Sequence, residues 1–367
     1  MIKLIDAYIL KSFVRNLIFA LLSFILIFVL VDLFENLDKF IDKSLNIKLI
    51  FLYYLYFMPE ILKLITPVAT LLAALFTTSK FVNFSEMTAF NSSGISIYRF
   101  FFPILIFGIF LTGLSFYFNG WVVPKANSAK FRFERDFLGK NQSAGVVQNL
   151  IMQQPGNIIV QMDLFDEINN SANNVLIQKF DSITLKTRID IKSMKYDPTI
   201  QTWMINNATR RDFDSTNMEK LAFIKNTRLD SISELKGLIL SPEIIKQKQL
   251  KPDEMLLTEL GAYIDRQKLT GLDTARNEVD YNSKISFPFA NLVTIIFGVS
   301  LSSNRRKSGA ALQFGISLLV TFIYLGFLKI SLVFGYNGDI NPILTAWMAN
   351  ILFALVAFYY LLKINKR

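Results

Sequence analysis

Six stretches of this chain are long and apolar enough to cross a bilayer, and nothing else in it constrains the fold as much. They are residues 17–31, 49–79, 100–118, 285–301, 309–335 and 342–362. A spanning helix needs about 20 apolar residues, with about 17 as a lower limit. Runs two to six reach that limit. The first reaches it once its flanks are counted, Asn16 at one end and Asp32 to Phe34 at the other. An even number of spans puts both termini on one side. The second run has 31 residues, roughly 46 Å as a helix against a hydrocarbon core of about 30 Å. It either kinks at Pro59 or Pro67 or projects from the bilayer, and the sequence leaves both open.

Composition agrees. The chain is 52% hydrophobic and 19% charged, with 35 Phe, whereas a soluble domain carries about 25% charge. It has no His and no Cys. That excludes zinc centres, His general bases, Cys nucleophiles and disulfides.

Lys and Arg in the short flanks set orientation. One side collects Lys3, Lys11, Arg15, Lys80, Arg99, Arg305, Arg306, Lys307, Lys363, Lys366 and Arg367, against the acids Asp6 and Glu86. The other side has Lys39, Lys43 and Lys48 in its short segments. The first side is therefore expected in the cytoplasm. This bias accounts for nearly all of the net charge of +10, so no nucleic-acid partner is needed. Residues 2–14 form no cleavable signal and read as an amphipathic interfacial helix before span one.

Between spans three and four lie residues 121–284, enough for a domain. NIIVQMDLF, VLIQKFD, ITLKTRIDIKSMKY, QTWMINNATRRDF and KLAFIKNTRLDSI alternate apolar with polar at period two, the pattern of half-buried strands. Asp197-Pro198 reads as a turn. An antiparallel β-domain over about 145–240 is expected. It is followed by a helix from Asp253 to near Gly271 and a second, polar helix over 275–284.

The loop between spans two and three, residues 80–99, is too long for a hairpin and too short for a domain. Ser85 reads as an N-cap, Glu86 suits the positive end of a helix, and Gly94 is a stop. A short helix at about 86–92 follows, which local physics alone would equally allow as a plain connector.

This loop, SEMTAFNSSGIS, resembles the cytoplasmic coupling helix of the LptF/LptG family of lipopolysaccharide-export permeases. IDAYILKSFVRN is similar to that family's N-terminal elbow, WVVPKAN at 121–127 to its exit from span three, and YDPTIQTW at 196–203 to a hairpin of its β-domain. The C-terminal half resembles the LptG branch more than LptF. The resemblance implies a polytopic inner-membrane protein with six transmembrane helices and an inserted periplasmic β-jellyroll-like domain. Its divisions are 1–120 (elbow, spans one to three, coupling helix about 85–93), 121–284 (β-domain and helical connection) and 285–367 (spans four to six).

The resemblance also implies a function: a permease subunit of an ABC transporter that extracts lipopolysaccharide from the inner membrane and passes it to a periplasmic bridge. The implied partners are an LptB-like cytoplasmic ATPase dimer, a second, LptF-like permease and an LptC-like bridge protein. No Gly-x-x-x-x-Gly-Lys-[Ser/Thr] occurs, so ATP is expected to be hydrolysed by the partner, with no cofactor on this chain. Ser85, Glu86, Met87, Phe90 and Gly94 are the expected coupling residues.

In LptG the outer end of span one is lysine-rich. Here it reads VDLFENLDKFIDK, with Asp32 where a lysine would stand and Glu60 doing likewise on span two. Lys39, Lys43 and Lys63 remain as candidate lipid head-group contacts. Phe19, Phe24, Phe28 and Phe34 on span one and Phe314, Phe322 and Phe327 on span five are candidate lining of a lipid cavity. Rival readings are an exporter of another lipid, a lipoprotein or a peptide, a structural or sensor protein, and a membrane hydrolase built on Ser283-Lys284 or on Lys329 and Ser331.

Overall fold

A backbone in hydrocarbon has no water to bond, so an apolar run closes its N–H and C=O groups within itself as a helix. The computed structural model describes residues 4–94, 96–138, 146–213, 219–232, 235, 238–303 and 310–364. Of the basic flank residues, Lys3, Arg305, Arg306, Lys307, Lys366 and Arg367 lie outside the described residues, as does the side chain of Lys363. The chain divides into two compact units. The first is Met1–Phe131, Pro252–Leu260 and Ala275–Arg367; the second is Arg132–Lys251 and Gly261–Thr274.

The first unit contains the helices α1 (Leu4–Asp42), α2 (Ile47–Asn83), α3 (Glu86–Ser92), α4 (Ile97–Tyr117), α8 (Ala275–Ser286), α9 (Ala290–Ser303), α10 (Ala310–Tyr336) and α11 (Pro342–Ile364). A π-helical turn, Phe118–Val122, joins α4 to α5 (Val123–Leu138). Six of these segments are long and apolar enough to span. The N-terminal amphipathic stretch does not form a separate helix. It runs unbroken into span one as a single helix of 39 residues. Likewise α2 keeps Pro59 and Pro67 inside one continuous helix of 37 residues.

Packing inside this unit follows small residues and hydroxyls, since lipid offers no hydrophobic drive between helices. At Gly298 a Cβ would stand 2.8 Å from Ala74 Cβ and 2.9 Å from the Leu71 carbonyl oxygen, so only glycine lets α9 lie this close to α2. The hydroxyls of Thr70 and Thr294 meet at 2.9 Å across the same contact, and Ser79 bonds Ser302 one end further on. The apolar runs around them bury Phe13, Ile61, Ile65, Phe101 and Ile295 almost completely.

The second unit is one antiparallel sheet whose strands follow chain order: β1 (Val146–Gln154), β2 (Ile158–Asp166), β3 (Ser171–Asp181), β4 (Thr184–Asp197), β5 (Thr202–Phe213) and β6 (Glu219–Ile224), with β7 (Thr227–Arg228) also on β5. The five alternating segments fall on β2 to β7. β1 and the helix α6 (Pro242–Gln249) had no explicit sequence expectation. One face buries Val160, Met162, Ile177, Ile189, Ile191 and Trp203. The indole N–H of Trp203 donates to the Leu240 carbonyl at 2.8 Å, which satisfies its one polar atom inside the core. The Asp197-Pro198 turn forms as expected. Asp197 Oδ1 accepts from the Thr199 N–H at 2.9 Å and from its hydroxyl at 2.6 Å. Those bonds hold the exposed carboxyl below the ordinary carboxylate range. The helix α7 (Leu257–Leu269), which runs from the first unit into this one, ends before Gly271 at φ 70°.

Candidate functional site

The chain brings its candidate residues to two places within the first unit. At the first, α2 stops at Asn83 and the chain turns into α3. The expected N-cap geometry at Ser85 is not found. Ser85 has φ 59°, the left-handed region, whereas an N-cap residue is extended. It works from the other side of the turn. The N–H of Phe84 donates to the Lys80 carbonyl and that of Ser85 to the Val82 carbonyl, each at 3.1 Å. These bonds close the end of α2 as left-handed C-terminal caps do. Gly94, at φ 76° with no atom near its missing Cβ, stops α3 as expected.

The inner side of α3 is held by aromatics. Met87 is buried, and the Phe90 ring lies 6.4 Å from that of Phe81 on α2 and 6.5 Å from that of Phe100 on α4. Phe81 and Phe100 themselves stand edge to face at 4.7 Å. Such pairs add about 0.5–1.5 kcal/mol each beyond area burial. Tyr8 on α1 closes the group, 5.4 Å from Phe81, with the Lys80 ammonium 5.5 Å above its ring. One strong ion pair, Arg99 to Asp6 at 2.7 Å, ties α4 to α1. Among the described residues Glu86 has only a long contact, the Tyr8 hydroxyl at 3.5 Å. Thr88, Ala89, Ser92, Ser93 and Gly94 are exposed. So α3 is held against α2 and α4 on one side, with Tyr8 of α1 packed on Phe81 behind it, and is bare on the other, with a carboxylate at its start.

The second place is a polar cluster that sequence reasoning missed. Lys63 donates to Glu60 Oε1 at 3.3 Å, and Asn127 donates to Glu60 Oε2 at 2.9 Å. Asn127 also reaches the Asp253 carbonyl at 3.4 Å. The buried Lys284 ammonium donates to the Met255 carbonyl at 2.8 Å, and Asn119, turned inward by the π-helical turn, donates to the Lys284 carbonyl at 2.7 Å. Asp253, Glu60, Asp280 and Lys63 all act electrostatically on Lys284. Tyr336 donates to Asp280 at 2.6 Å. Charge in an apolar bundle is tolerated only when paired in this way.

The cluster changes the standing of several candidates. Lys63 is committed to Glu60, so the two do not act as a free cation and a free anion. Asp32 is also engaged, accepting from the Tyr54 hydroxyl at 2.9 Å. Lys39 and Lys43 remain exposed; among the described residues Lys39 reaches back to Asn36 Oδ1 at 2.7 Å. The phenylalanines separate too. Phe24 is buried in the helical core. Phe19, Phe28 and Phe34 are exposed on α1, Phe34 to 73%, and Phe322 is 80% exposed on α10. Phe327 is half-buried against Phe353. The side chain of Phe314 lies outside the described residues.

The hydrolase dyads do not assemble. The ammonium of Lys284 is spent on Met255, and the Ser331 hydroxyl donates to the Thr345 carbonyl at 2.6 Å. Among the described residues neither serine is bonded to a base that could activate it. Among the described residues no group of acidic side chains could hold a metal ion.

Residues 7–363 match the family described as lipopolysaccharide export system permease LptF/LptG. The chain is also 22% identical over 319 residues to the lipopolysaccharide export system permease protein LptG of Escherichia coli K12, with 85% of each chain covered. The corresponding protein of Escherichia coli O6:H1 matches with the same figures.

Proposed function

The chain belongs to the LptF/LptG family of lipopolysaccharide export system permeases, and on that premise we propose that it is the LptG-type half of a permease pair driven by a cytoplasmic ATPase dimer. The pair draws lipopolysaccharide from the inner membrane and hands it to a periplasmic bridge protein. The observation that carries this reading is the α3 corner. A helix of seven residues is locked by Met87 and Phe90 to the ends of α2 and α4 while its other side is bare. Force applied to that side is passed to three membrane helices through a rigid aromatic contact. Glu86 is the electrostatic handle, and an Arg of the ATPase is its natural partner.

The termini and α3 lie in the cytoplasm and the β-unit in the periplasm. The eleven-to-three bias of basic flanks supports this. Lipid enters beside α1 and α10, between this chain and its permease partner. The support is the outward row on α1, whose apolar window is only 11% buried against 67% for α2. Lys39 is the principal head-group contact on this chain, with Lys43 next, because Lys63 is neutralised by Glu60. The bridge protein adds to a sheet edge such as β1, which pairs only with β2 among the described residues.

Co-purification from the native membrane tests the assembly, and Glu86→Ala tests the coupling. The expected result is that an ATPase and a second permease come down with the wild-type chain, and that Glu86→Ala folds normally but loses transport or ATPase association. Normal transport and normal association in Glu86→Ala overturn the role of α3. A reporter fused after Arg367 that is active only outside the cytoplasm overturns the topology.

A further inference from the structure

Five strands of the sheet slip phase at one line. In a regular strand inward residues recur every second position. Here the interval widens to three at Val147/Leu150, Met162/Phe165, Ala172/Val175, Ile191/Met194 and Ile205/Ala208, each pair buried with two residues between that are not. The register does not shift. Gln148 faces Leu164 and Leu150 faces Met162; Asn173 faces Ser193 and Val175 faces Ile191; Ser193 faces Asn206 and Ile191 faces Ala208. Asn149, Asp163, Asn174, Lys192 and Asn207 therefore stand in one row across β1 to β5. Lys225, just past β6, continues it, since Ala208 faces Ile224. The asparagines on alternate strands absorb the slip with φ of 53°, 49° and 53°, a region in which Asn is the best-tolerated side-chain-bearing residue.

Beside this row, on the polar face, lies an open hollow of about 680 Å³. Asp163, Asn174, Lys192, Asn207 and Lys225 line it, together with Arg188 and the ring of Phe223, which is 76% exposed. The Arg188 guanidinium is fixed edge-on by Asp190, with contacts of 2.8, 3.0 and 3.1 Å. Lys192 and Lys225 are exposed and have no ion-pair partner among the described residues. The amides and the carboxylate present both donors and acceptors, which suits sugar hydroxyls. A bare aromatic face suits the C–H side of a sugar ring. Two unpaired ammonium groups across Asn207 suit an anionic substituent.

We propose that this hollow on the polar face of the sheet binds the anionic oligosaccharide part of lipopolysaccharide, with Asn174 and Asn207 on hydroxyls, Phe223 under a ring, and Lys192 and Lys225 on a phosphate or carboxylate. The proposal rests on the export reading above and deepens it. It assigns the sugar to a face separate from the apolar side of the sheet.

The test is a calorimetric titration of the full chain in nanodiscs with deacylated lipopolysaccharide that retains its phosphates. Asn174→Gly with Asn207→Gly removes the amides but keeps the left-handed backbone. Lys192→Gln with Lys225→Gln removes only charge. Saturable binding is expected, weakened at least tenfold by either pair. The lysine pair should also abolish the preference for the phosphorylated sugar over its dephosphorylated form. Absent binding, binding unchanged by both pairs, or equal binding of neutral dextran overturns the proposal. Lipopolysaccharide export measured in the same cells keeps the two readings apart. Export by a chain that binds no oligosaccharide sinks this inference alone, and loss of all export-system association sinks the function.

Discussion

Charge sits at two places along α2 and the turn that leads from it into α3, and the two are treated in opposite ways. Around Glu60 and Lys63 the charges close on one another, Asn127 takes the second Glu60 oxygen and the Lys284 ammonium is spent on the Met255 carbonyl, so little is left to bind anything else. At the far end, Lys80 lies over an aromatic ring and Glu86 has one long contact. The first arrangement spends its charge on holding the bundle together. The second leaves a carboxylate available to a partner. Charge within an apolar bundle is thus not by itself a sign of a ligand site; what separates structure from function is whether the partners are already present in the chain.

The largest expected effect lies in the closed network. Lys284→Ala removes a buried ammonium, leaves the Met255 carbonyl without its partner and takes a nearby positive charge from Glu60, Asp253 and Asp280, and a hydrogen bond to a charged group left unmade costs about 3 kcal/mol. Thermal unfolding in detergent checks this, and Lys284→Met, which keeps most of the volume, separates lost charge from lost packing. A wild-type melting point in both variants breaks the contrast. Lys63→Ala leaves Glu60 with Asn127 alone and costs about 1–3 kcal/mol by the same measurement. Glu86→Ala stays within about 0.5 kcal/mol of wild type, so its defect appears only in transport. A clear loss of stability there would make the α3 corner a second closed network. Asp197→Asn is smallest. Because its carboxyl is held low in the folded chain, the stability it adds is present above the ordinary carboxylate range and fades as pH falls through the lowered value. The variant should match wild type in acid and differ only at neutral pH, read by amide exchange in the 197–202 turn.

Much of this was legible in the sequence, for a physical reason in each case. Spans show because lipid demands unbroken apolarity, and β2 to β7 show because one face is wet. The same alternation hides the phase slip. Asp163-Leu164 or Asn206-Asn207 looks like ordinary noise in a period-two pattern, and only the register aligns them across strands. The polar cluster was illegible because Glu60, Asn127, Asp253 and Lys284 come from four separated segments. Nothing local marks those four as neighbours; only Lys63, three residues from Glu60 and so one turn away on the helix, shows its partner in the sequence. Ser85 misled because Ser followed by Glu is a common helix start, while the tight reversal out of α2 imposed a left-handed residue instead. Phe24 could not be told from Phe28 by composition; only the packed α1–α2 contact turns one inward and the other outward.

The row of asparagines also limits how this sheet can vary by descent. Each strand carries one extra residue at the same height, so the parts above and below the line are in step only while all five keep it. Deleting Asn174 alone would put one half of β3 out of phase with its neighbours, for instance turning the side chains of Val175 and Ile177 to water. Length changes in these strands are therefore tolerated at the hairpin tips but not in the middle, where the line can change only as a block.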